Sequence, residues 1–384
     1  MKIENVALGM NELTLGVVLV AMLALLLGIA AKGRRHGVEI EAIRKAGVSK
    51  QGLANWLSRR LPGTEYRGYT HEVMDTWKVV DDGSLSSRGI EVVSPPMFNE
   101  SRASIKSICD GLRGLASADS TCGLHAHQRV LDDKFSNVEQ VIYGDDLEMA
   151  ISLTGWMVRI AMAYAWFQAA IDGFMPSSRR SFNHPNYCGS LGHTVHQAAS
   201  SIGHLNGDSF ESRLRWFKST QDQWQGVRDA MSILMSARYL NINFGALQKY
   251  GTIEFRQHGG TTNPNQISNW VDLTARLMLV CREDWSTSSL RNPQHHAPTL
   301  SGFFEWLGLG DKHPLYAFYQ RRTRKFLNKL IAPCALCGHT DCDGDEYCPR
   351  QSARMPSGFH GWDDDDDDIC EDCEYHEEDC ECHY

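Results

Sequence analysis

Several familiar patterns are missing from this sequence, and each absence narrows its class. No Walker-type phosphate loop is present, because the glycine pair at 259–260 lacks the lysine that such a loop needs. No Ser-His-Asp or Cys-His order typical of a nucleophilic hydrolase is discernible. No internal repeat is visible, and Lys and Arg form no basic stripe of the kind that nucleic-acid-binding proteins carry. We therefore expect no nucleic-acid partner.

Basic residues are also missing from the C-terminal end. Residues 363–384 carry 13 acidic side chains and no Lys or Arg, and six of the acids form the run Asp363–Asp368. The rest of the chain carries all 38 Lys and Arg and 34 of the 47 acids, so its net charge is +4 against −9 for the whole chain. The sequence is therefore a mildly basic body with an acidic appendage.

Cysteine is sparse in the body and dense at the end. Four of the 12 cysteines are scattered before residue 282, which is typical of buried thiols in a reduced, cytoplasmic protein. The other eight follow residue 333, and four of them are spaced like a loose zinc knuckle: Cys334, Cys337, Cys342 and Cys348. We interpret residues 332–384 as a Cys-rich acidic tail. It either holds structural Zn²⁺ or is disordered, with thiols that bind metal opportunistically.

The segment 13–31 has no charged residue, and its only hydroxyl is that of Thr14. As a helix, these 19 residues would be about 28 Å long, close to the hydrocarbon thickness of a bilayer. A basic cluster at 32–35 follows. The sequence thus predicts an N-terminal segment 1–12, a single transmembrane helix over 13–31 and a membrane-anchored protein with a cytoplasmic catalytic domain. The alternatives are a cleaved signal peptide, a buried helix or a wrong start codon.

Between these ends, residues 36–331 mix strand and helix patterns, and we predict one α+β domain. Alternating stretches at Val73–Val80 and Gly89–Ser94 flank a turn signal and predict a hairpin. The stretch Asp146–Gly173 is rich in Ala, Met, Leu and Trp and predicts a long buried helix. The pair Asn263-Pro264 suits the N-cap and first position of another helix.

Three short segments each place two strongly polar residues two positions apart in an apolar, strand-like stretch. They are Gly37–Glu41, Gly123–His127 and Thr252–Arg256. Residues i and i+2 of a β-strand point to the same face, about 6.6 Å apart. Each segment thus directs one apolar residue (Ile40, Ala126 or Phe255) to a core and its polar pair to the opposite face. If these faces are shared, they form a surface that can hold divalent cations and a polyphosphate.

Each pair alone has a simpler explanation. Glu-x-Glu is usually a solvated face, His-x-His is usually two satisfied or exposed histidines, and Glu-x-Arg is most often a surface ion pair. The three pairs, however, occur together with Glu91 in a further strand-like stretch and with Glu100 nine residues later. The combination indicates a shared site.

The order of these motifs, together with Trp77, the turn Asp82-Gly83-Ser84 and the stretch Glu91–Pro96, resembles the amidoligase family. That family belongs to the glutamine synthetase and glutamate–cysteine ligase superfamily of carboxylate–amine ligases. The resemblance spans roughly residues 36–285. It implies a glutamine-synthetase-like catalytic domain, in which an antiparallel sheet forms a cradle with helices packed on its outer side.

The resemblance also implies two sites for Mg²⁺ or Mn²⁺, ions that prefer oxygen ligands. Around the first ion, which would bridge the phosphates of ATP, it places Glu39, His125 and Glu254. Around the second ion, nearer the acceptor, it places Glu41, Glu91 and Glu100.

Further roles follow from the same resemblance. Arg256 would contact the transferred γ-phosphoryl group of ATP, and Arg179 or Arg180 would do the same from a loop. His127 matches a histidine of the family motif. One departure is His36, which stands where an aromatic or aliphatic residue is expected.

These features predict an ATP-dependent ligase that joins a carboxylate to an amine through an acyl phosphate. Phosphoryl transfer needs positioning and charge neutralisation, which carboxylates, metal ions and arginines supply. Its small-molecule or peptide substrates are not specified, because the loops at 177–188 and 192–207 are polar but undiagnostic. Two other hypotheses stay open: a catalytically inactive scaffold with a zinc-binding tail, and a metal-dependent amide hydrolase.

Overall fold

A mixed sheet of eight strands lies at the centre of the computed structural model, which describes residues 35–98, 101–130, 138–180, 219–236, 238–282 and 292–331, and residues 189, 191, 192, 194 and 198. The strands are β1 (His36–Arg44), β2 (Glu65–Tyr66), β3 (Lys78–Val80), β4 (Gly89–Val93), β5 (Ala116–Ser117), β6 (Gly123–Arg129), β7 (Ile242–Asn243) and β8 (Thr252–Gly259). Their order is β2-β3-β4-β1-β6-β8-β7, and β5 pairs with β1 outside this path. The β2–β3 pair is parallel, whereas the other strand pairs are antiparallel.

Helices surround this sheet. Those of the described residues are α1 (Lys50–Leu57), α2 (Ser101–Leu112), α3 (Val138–Ile142), α4 (Leu147–Trp166), α5 (Gln168–Gly173), α6 (Thr220–Ser236), α7 (Ala246–Tyr250), α8 (Pro264–Val280), α9 (Leu300–Trp306) and α10 (Pro314–Ile331). Their starts follow side-chain capping chemistry: Ser49, Asp146, Asn263 and Thr299 each accept a hydrogen bond from a backbone N–H of the first turn. Asn263 caps α8, and Pro264 stands in its first turn, as predicted.

The apolar residues of the three motif strands are part of the hydrophobic core. Ile40, Ala126 and Phe255 are fully buried, as the alternation predicted. Helix α8 packs across β6 and α2 on this face. The polar residues of the same strands consequently lie on the opposite face of the sheet, away from this core.

The predicted helix 146–173 is two helices, α4 and α5, with a break at Phe167. The backbone of Phe167 leaves the helical range at φ −91° and ψ 11°. Its buried ring packs with centroids 5.0 Å from Phe303 and 5.3 Å from Trp306. Tertiary packing at this one position thus interrupts a segment whose composition favours a continuous helix.

The predicted hairpin is also shorter than expected. Its first strand covers only Lys78–Val80, and residues 67–77 precede it as a loop. Val73, which the alternation placed in the strand, is 58% exposed. The prediction of an antiparallel sheet with packed helices is confirmed in general form, although β2 and β3 depart from it.

The localisation prediction is corrected by the structure. Within the described residues, no helix has the length and apolar character needed to cross a bilayer. The predicted segment 13–31 itself lies outside these residues, as do Glu100 and the predicted tail 332–384 with its four zinc-knuckle cysteines. Because no helix of the described residues can span a bilayer, the predicted membrane-anchored localisation is not supported. The domain boundaries stay predictions.

Candidate active site

Cross-strand register brings the predicted polar residues together. Glu39 on β1 pairs with His125 on β6, and Glu41 pairs with Glu91 on β4. On the other side of β6, His127 pairs with Glu254 on β8. Directly opposed residues of antiparallel strands have Cβ atoms about 5 Å apart. Backbone pairing alone therefore collects these six side chains on one face.

His125 lies in the middle of this group. Its Nδ1 is 3.1 Å from Glu39 Oε2 and 3.4 Å from Glu254 Oε1, and its Nε2 is 3.5 Å from Glu41 Oε1. His127, two residues further along β6, also approaches Glu39, with Nε2 3.2 Å from Glu39 Oε1. Each imidazole thus faces at least one carboxylate that the sequence identified as a ligand.

Glu254 accepts hydrogen bonds from two neighbours; burial would raise the pKa of this carboxyl, but the charges of Arg256 and the two histidines hold it below its ordinary value. Nδ2 of Asn243 donates to its Oε2 at 2.6 Å, and Nη1 of Arg256 donates to its Oε1 at 2.6 Å. Asn243 lies on β7, directly opposite Glu254. Arg256 is therefore anchored to Glu254 through Nη1, and its buried Nε makes no hydrogen bond within the described residues.

A second group of carboxylates surrounds Glu41. Oxygens of Glu41, Asp82 and Glu91 all lie within 4.8 Å of one another. The Gly123 N–H donates to Glu41 Oε2 at 2.5 Å. Asp82 is fixed by accepting hydrogen bonds at 2.7 Å from both the N–H and the hydroxyl of Ser84.

Asp82 is a candidate ligand that the sequence analysis did not identify. It was recognised only as part of a turn, while Glu100 was assigned to this site. Glu100 lies outside the described residues, and within them Asp82 stands third beside Glu41 and Glu91. The available signal was its place in the β3–β4 connection, but an eight-residue connection does not reveal which side chain turns inward.

Of the paired arginines, Arg179 lines the cleft with these groups. Its Nη2 is 3.8 Å from Glu41 Oε2 and donates to the carbonyl of Thr121 at 3.0 Å. The Nε of Arg180 instead donates to the backbone carbonyls of Asp172 and Met175. The arrangement favours Arg179 over Arg180 as the arginine that contacts a ligand.

A buried polar network that the sequence did not reveal holds the backbone beneath Arg179. Gln257 is fully buried, and its Nε2 donates to the Arg179 carbonyl at 3.2 Å and to the Asp172 carboxylate. Its Oε1 accepts from the hydroxyl of Tyr164 at 2.7 Å and from Asn241 at 3.1 Å. The network ties helix α4 and the residue just before strand β7 to the residue that follows Arg256.

One large cleft of about 1310 Å³ is lined by the candidate ligands and the two arginines beside them: Glu39, Glu41, Asp82, Glu91, His125, His127, Glu254, Arg179 and Arg256. A separate pocket of about 160 Å³ adjoins it and shares Glu39, Glu91 and His127 with it. At Gly123, an added Cβ would lie 3.0 Å from both Arg179 Nη2 and His125 Nε2. Glycine at this position therefore lets an arginine and a histidine approach the strand backbone closely.

The pKa values of the acids in the cleft are shifted in opposite directions. Burial alone would raise the pKa of Glu39, but His127 and His125 together hold this pKa well below its ordinary value. Burial, and then the charges of Glu39 and Glu41, raises the pKa of Glu91 well above its ordinary value. Burial would lower the pKa of His127, but Glu39 outweighs it and raises this pKa. Without bound cations, ionising all of these acids at once would cost free energy, because they are buried and their negative charges repel one another.

These residues fit divalent cations. Three sets have ligand atoms within 4.8 Å of one another: Glu39, Glu91 and His125; Glu39, His127 and Glu254; and Glu41, Asp82 and Glu91. The Nε2 of His127 makes no hydrogen bond within the described residues, although a Glu39 oxygen is 3.2 Å away. Neighbouring atoms that do not bond to each other are suited to share an ion, and oxygen-rich sets suit Mg²⁺ or Mn²⁺.

Comparison with known proteins identifies the family. The model of a family described as "Putative amidoligase enzyme" matches residues 32–278, which is more than half of the chain. The chain belongs to the amidoligase family. This confirms the resemblance noted from the motifs. Membership supports a carboxylate–amine ligase in general.

The other comparisons add little to the amidoligase assignment. A bifunctional glutathione synthetase from Pasteurella multocida matches with a TM-score of 0.37 and 11% sequence identity, covering 78% of this chain and 48% of that one. The chain thus spans about half the length of that protein, and a likeness at this TM-score carries no functional argument. A search of the curated proteins found no match.

Proposed function

We propose that this amidoligase is an ATP-dependent carboxylate–amine ligase with a glutamine-synthetase-like catalytic domain. The single observation that carries the proposal is the convergence of five acids and two histidines from four strands and one turn into three overlapping ligand sets. Such a cluster could position the cations that phosphoryl transfer requires.

Two cation sites follow from these sets. Glu39, His125, His127 and Glu254 would hold one ion, and Glu41, Asp82 and Glu91 would hold the other. When bound, Mg²⁺ or Mn²⁺ would neutralise phosphate charge and polarise the transferred phosphoryl group. Glu91 belongs both to the set with Glu39 and His125 and to the set with Glu41 and Asp82, so it couples the two sites.

Two positively charged side chains, Arg256 and Arg179, lie beside the ligand sets, where the phosphate groups would bind. Arg256, anchored to Glu254, would contact the γ-phosphoryl group through its remaining guanidinium nitrogens. Arg179 stands on the Glu41 side and would orient the substrate carboxylate or the acyl phosphate derived from it. In the reaction, a carboxylate oxygen attacks the γ-phosphorus and ADP leaves. The amine then attacks the acyl carbon, phosphate leaves and the amine gives up a proton.

The nucleotide and the acceptor would approach from opposite ends of the motif strands. The 160 Å³ pocket adjoins Glu39 and His127, so the nucleotide would enter at that end. Arg179, Thr121 and Asp82 lie at the other end of the cleft, where the carboxylate and the amine would meet. This orientation agrees with the roles that the family resemblance implies for Glu39 and Glu41.

An ADP-release assay tests the proposal. Purified protein with Mg²⁺ and ATP is screened against pairs of carboxylates and amines, including amino acids, polyamines and cell-wall peptides. We expect ADP release that requires both partners, and its loss in Glu39→Gln and Asp82→Asn but not in the control Glu139→Gln, which changes an exposed acid on α3. Product formation without ATP would instead support the amide hydrolase, and a protein that binds no nucleotide would support the scaffold.

A further inference from the structure

The two cation sites of the cleft differ in the ligand atoms that they offer. One site consists of carboxylates alone and offers only oxygen: Glu41, Asp82 and Glu91. The site beside it also offers imidazole nitrogen: Glu39, His125, His127 and Glu254. We call the first the oxygen site and the second the nitrogen site.

Both histidines of the nitrogen site approach the same carboxylate. They are two residues apart on β6, so they project from the same face of the sheet. His125 Nδ1 lies 3.1 Å from one oxygen of Glu39, and His127 Nε2 lies 3.2 Å from the other. Both rings are buried. An ion bound to the Glu39 carboxylate therefore has an imidazole on either side.

A threonine on the neighbouring strand holds the second of these rings. The Nδ1 of His127 is 3.0 Å from the hydroxyl oxygen of Thr252, whereas its buried Nε2 makes no hydrogen bond within the described residues. When Nδ1–H donates to this hydroxyl, Nε2 carries the lone pair that a cation needs. Histidines that bind metals are commonly held through their second nitrogen in this way. Thr252 is therefore placed to position His127 for an ion.

Nitrogen ligands discriminate between cations. Mg²⁺ is a hard ion that takes oxygen ligands, whereas imidazole suits first-row transition-metal ions. Mixed sets of Glu and His hold iron or manganese in other protein scaffolds. The oxygen site therefore suits Mg²⁺, and the nitrogen site, with two imidazoles and two carboxylates, suits a transition-metal ion.

We propose that the nitrogen site binds a first-row transition-metal ion in preference to Mg²⁺, that the second imidazole, His127, confers this preference, and that Thr252 positions it. The oxygen site takes Mg²⁺, so the two sites hold different ions. The proposal rests on the cation sites of the proposed function but not on ligase activity. It gives a role to Thr252, which lies outside the ligand sets.

Mn²⁺ binding to the full chain, without nucleotide, tests the proposal. Mn²⁺ is the probe because thiolates favour Zn²⁺ and Cu⁺, and eight cysteines follow residue 333. Electron paramagnetic resonance of the free ion gives the Mn²⁺ affinity, and displacement by Mg²⁺ gives the affinity of the same site for Mg²⁺. Electron–nuclear resonance of the bound ion counts its directly bonded nitrogens.

In the wild type we expect two directly bonded nitrogens and an affinity for Mn²⁺ about tenfold or more above that for Mg²⁺. The acidic residues at 363–384 can bind Mn²⁺ through oxygen alone. They are the same in every variant, so comparisons between variants cancel their contribution.

Two pairs of variants locate the effect. His127→Gln should remove one bonded nitrogen and weaken Mn²⁺ about tenfold or more, while Mg²⁺ affinity changes less than about threefold. The control His71→Gln, which changes an exposed histidine lining the same cleft, should alter neither. Thr252→Val should weaken Mn²⁺ about tenfold, whereas Thr252→Ser, which keeps the hydroxyl, stays within about twofold of the wild type. In a His127→Gln background, Thr252→Val should have no further effect.

The outcomes separate this proposal from the ligase. Fewer than two bonded nitrogens in the wild type, or equal losses of Mn²⁺ and Mg²⁺ in His127→Gln, would overturn the nitrogen site and leave the ligase proposal standing. A further loss from Thr252→Val in the His127→Gln background would overturn the role of Thr252. Two bonded nitrogens without ADP release from any substrate pair would support the nitrogen site and contradict the ligase. A cleft that binds no divalent ion would overturn both.

Discussion

Glu91→Gln is expected to stabilise the protein without metal and to weaken its response to Mg²⁺. Glu91 lies opposite Glu41 on neighbouring strands, and oxygens of Glu41, Asp82 and Glu91 lie within 4.8 Å of one another. Two like charges at this distance repel by about 3.5 kcal/mol at an effective dielectric constant of about 20. The amide keeps the shape of the side chain and removes the charge.

The pH dependence follows from the raised pKa of Glu91. Burial and the neighbouring acids raise this pKa above its ordinary value of 4.5, so the folded protein holds a proton that the unfolded chain has released. The free energy of unfolding therefore falls as pH rises through the interval between the two pKa values, by up to about 1.4 kcal/mol per pH unit. Glu91→Gln has no such proton, and its advantage over the wild type should grow with pH from about 4.5 upward.

Thermal unfolding of chelator-treated protein between pH 5 and 8 measures this difference. One kcal/mol corresponds to about 2–4 °C in Tm for a domain of this order of size, so the gap should widen by roughly 3–5 °C per pH unit. The comparison cancels the slope that His127 contributes to both proteins. Saturating Mg²⁺ should reverse the order, since a ligand at about 100 times its Kd adds about 2.7 kcal/mol to the wild type. A variant less stable than the wild type at every pH without metal would refute the reasoning.

Three further substitutions test the parts around this group. Glu39→Gln should lower Mg²⁺-dependent ATP turnover by about 100-fold or more and leave Tm within about 2 °C; turnover like that of the wild type would end the assignment of Glu39 as a ligand. Gly123→Ala should lower kcat about tenfold without removing any polar group, because its Cβ would lie 3.0 Å from atoms of Arg179 and His125; unchanged steady-state kinetics would contradict this. Gln257→Leu should cost about 3 kcal/mol or more in urea unfolding, because several buried partners lose a hydrogen bond; a cost below about 1 kcal/mol would show that the network relaxes.

The sequence could predict the part of the site that depends on the two-residue periodicity of β-strands. Glu39 and Glu41, or His125 and His127, share a face because alternate strand residues must. The apolar residue between each pair is buried as that rule requires. To bring the pairs of different strands together, the strands must also be neighbours in a suitable register. The family resemblance supplied the expectation that they are neighbours.

The parts that escaped prediction depend on contacts between distant segments. Asp82 enters the site through the turn that Ser84 stabilises, and no periodicity reports on a turn. Gln257 follows Arg256 on β8, where the β6–β8 register shifts between Leu124 and Ala126. A bulge of this kind changes which residues a strand buries, and it is fixed by the partner strand rather than by local sequence.

The same strand logic explains why the two cation sites are separate and yet coupled. Glu39 and Glu41 are two residues apart on β1, so the rise of the strand sets their Cα atoms about 6.6 Å apart. Glu91 stands opposite Glu41 in the row of one site, whereas the other site takes two adjacent rows, Glu39 opposite His125 and His127 opposite Glu254. Because a backbone repeat rather than a loop sets the distance, the relative position of the sites should tolerate loop changes. It should not tolerate a residue inserted between Glu39 and Glu41, which would turn one of the two carboxylates into the core.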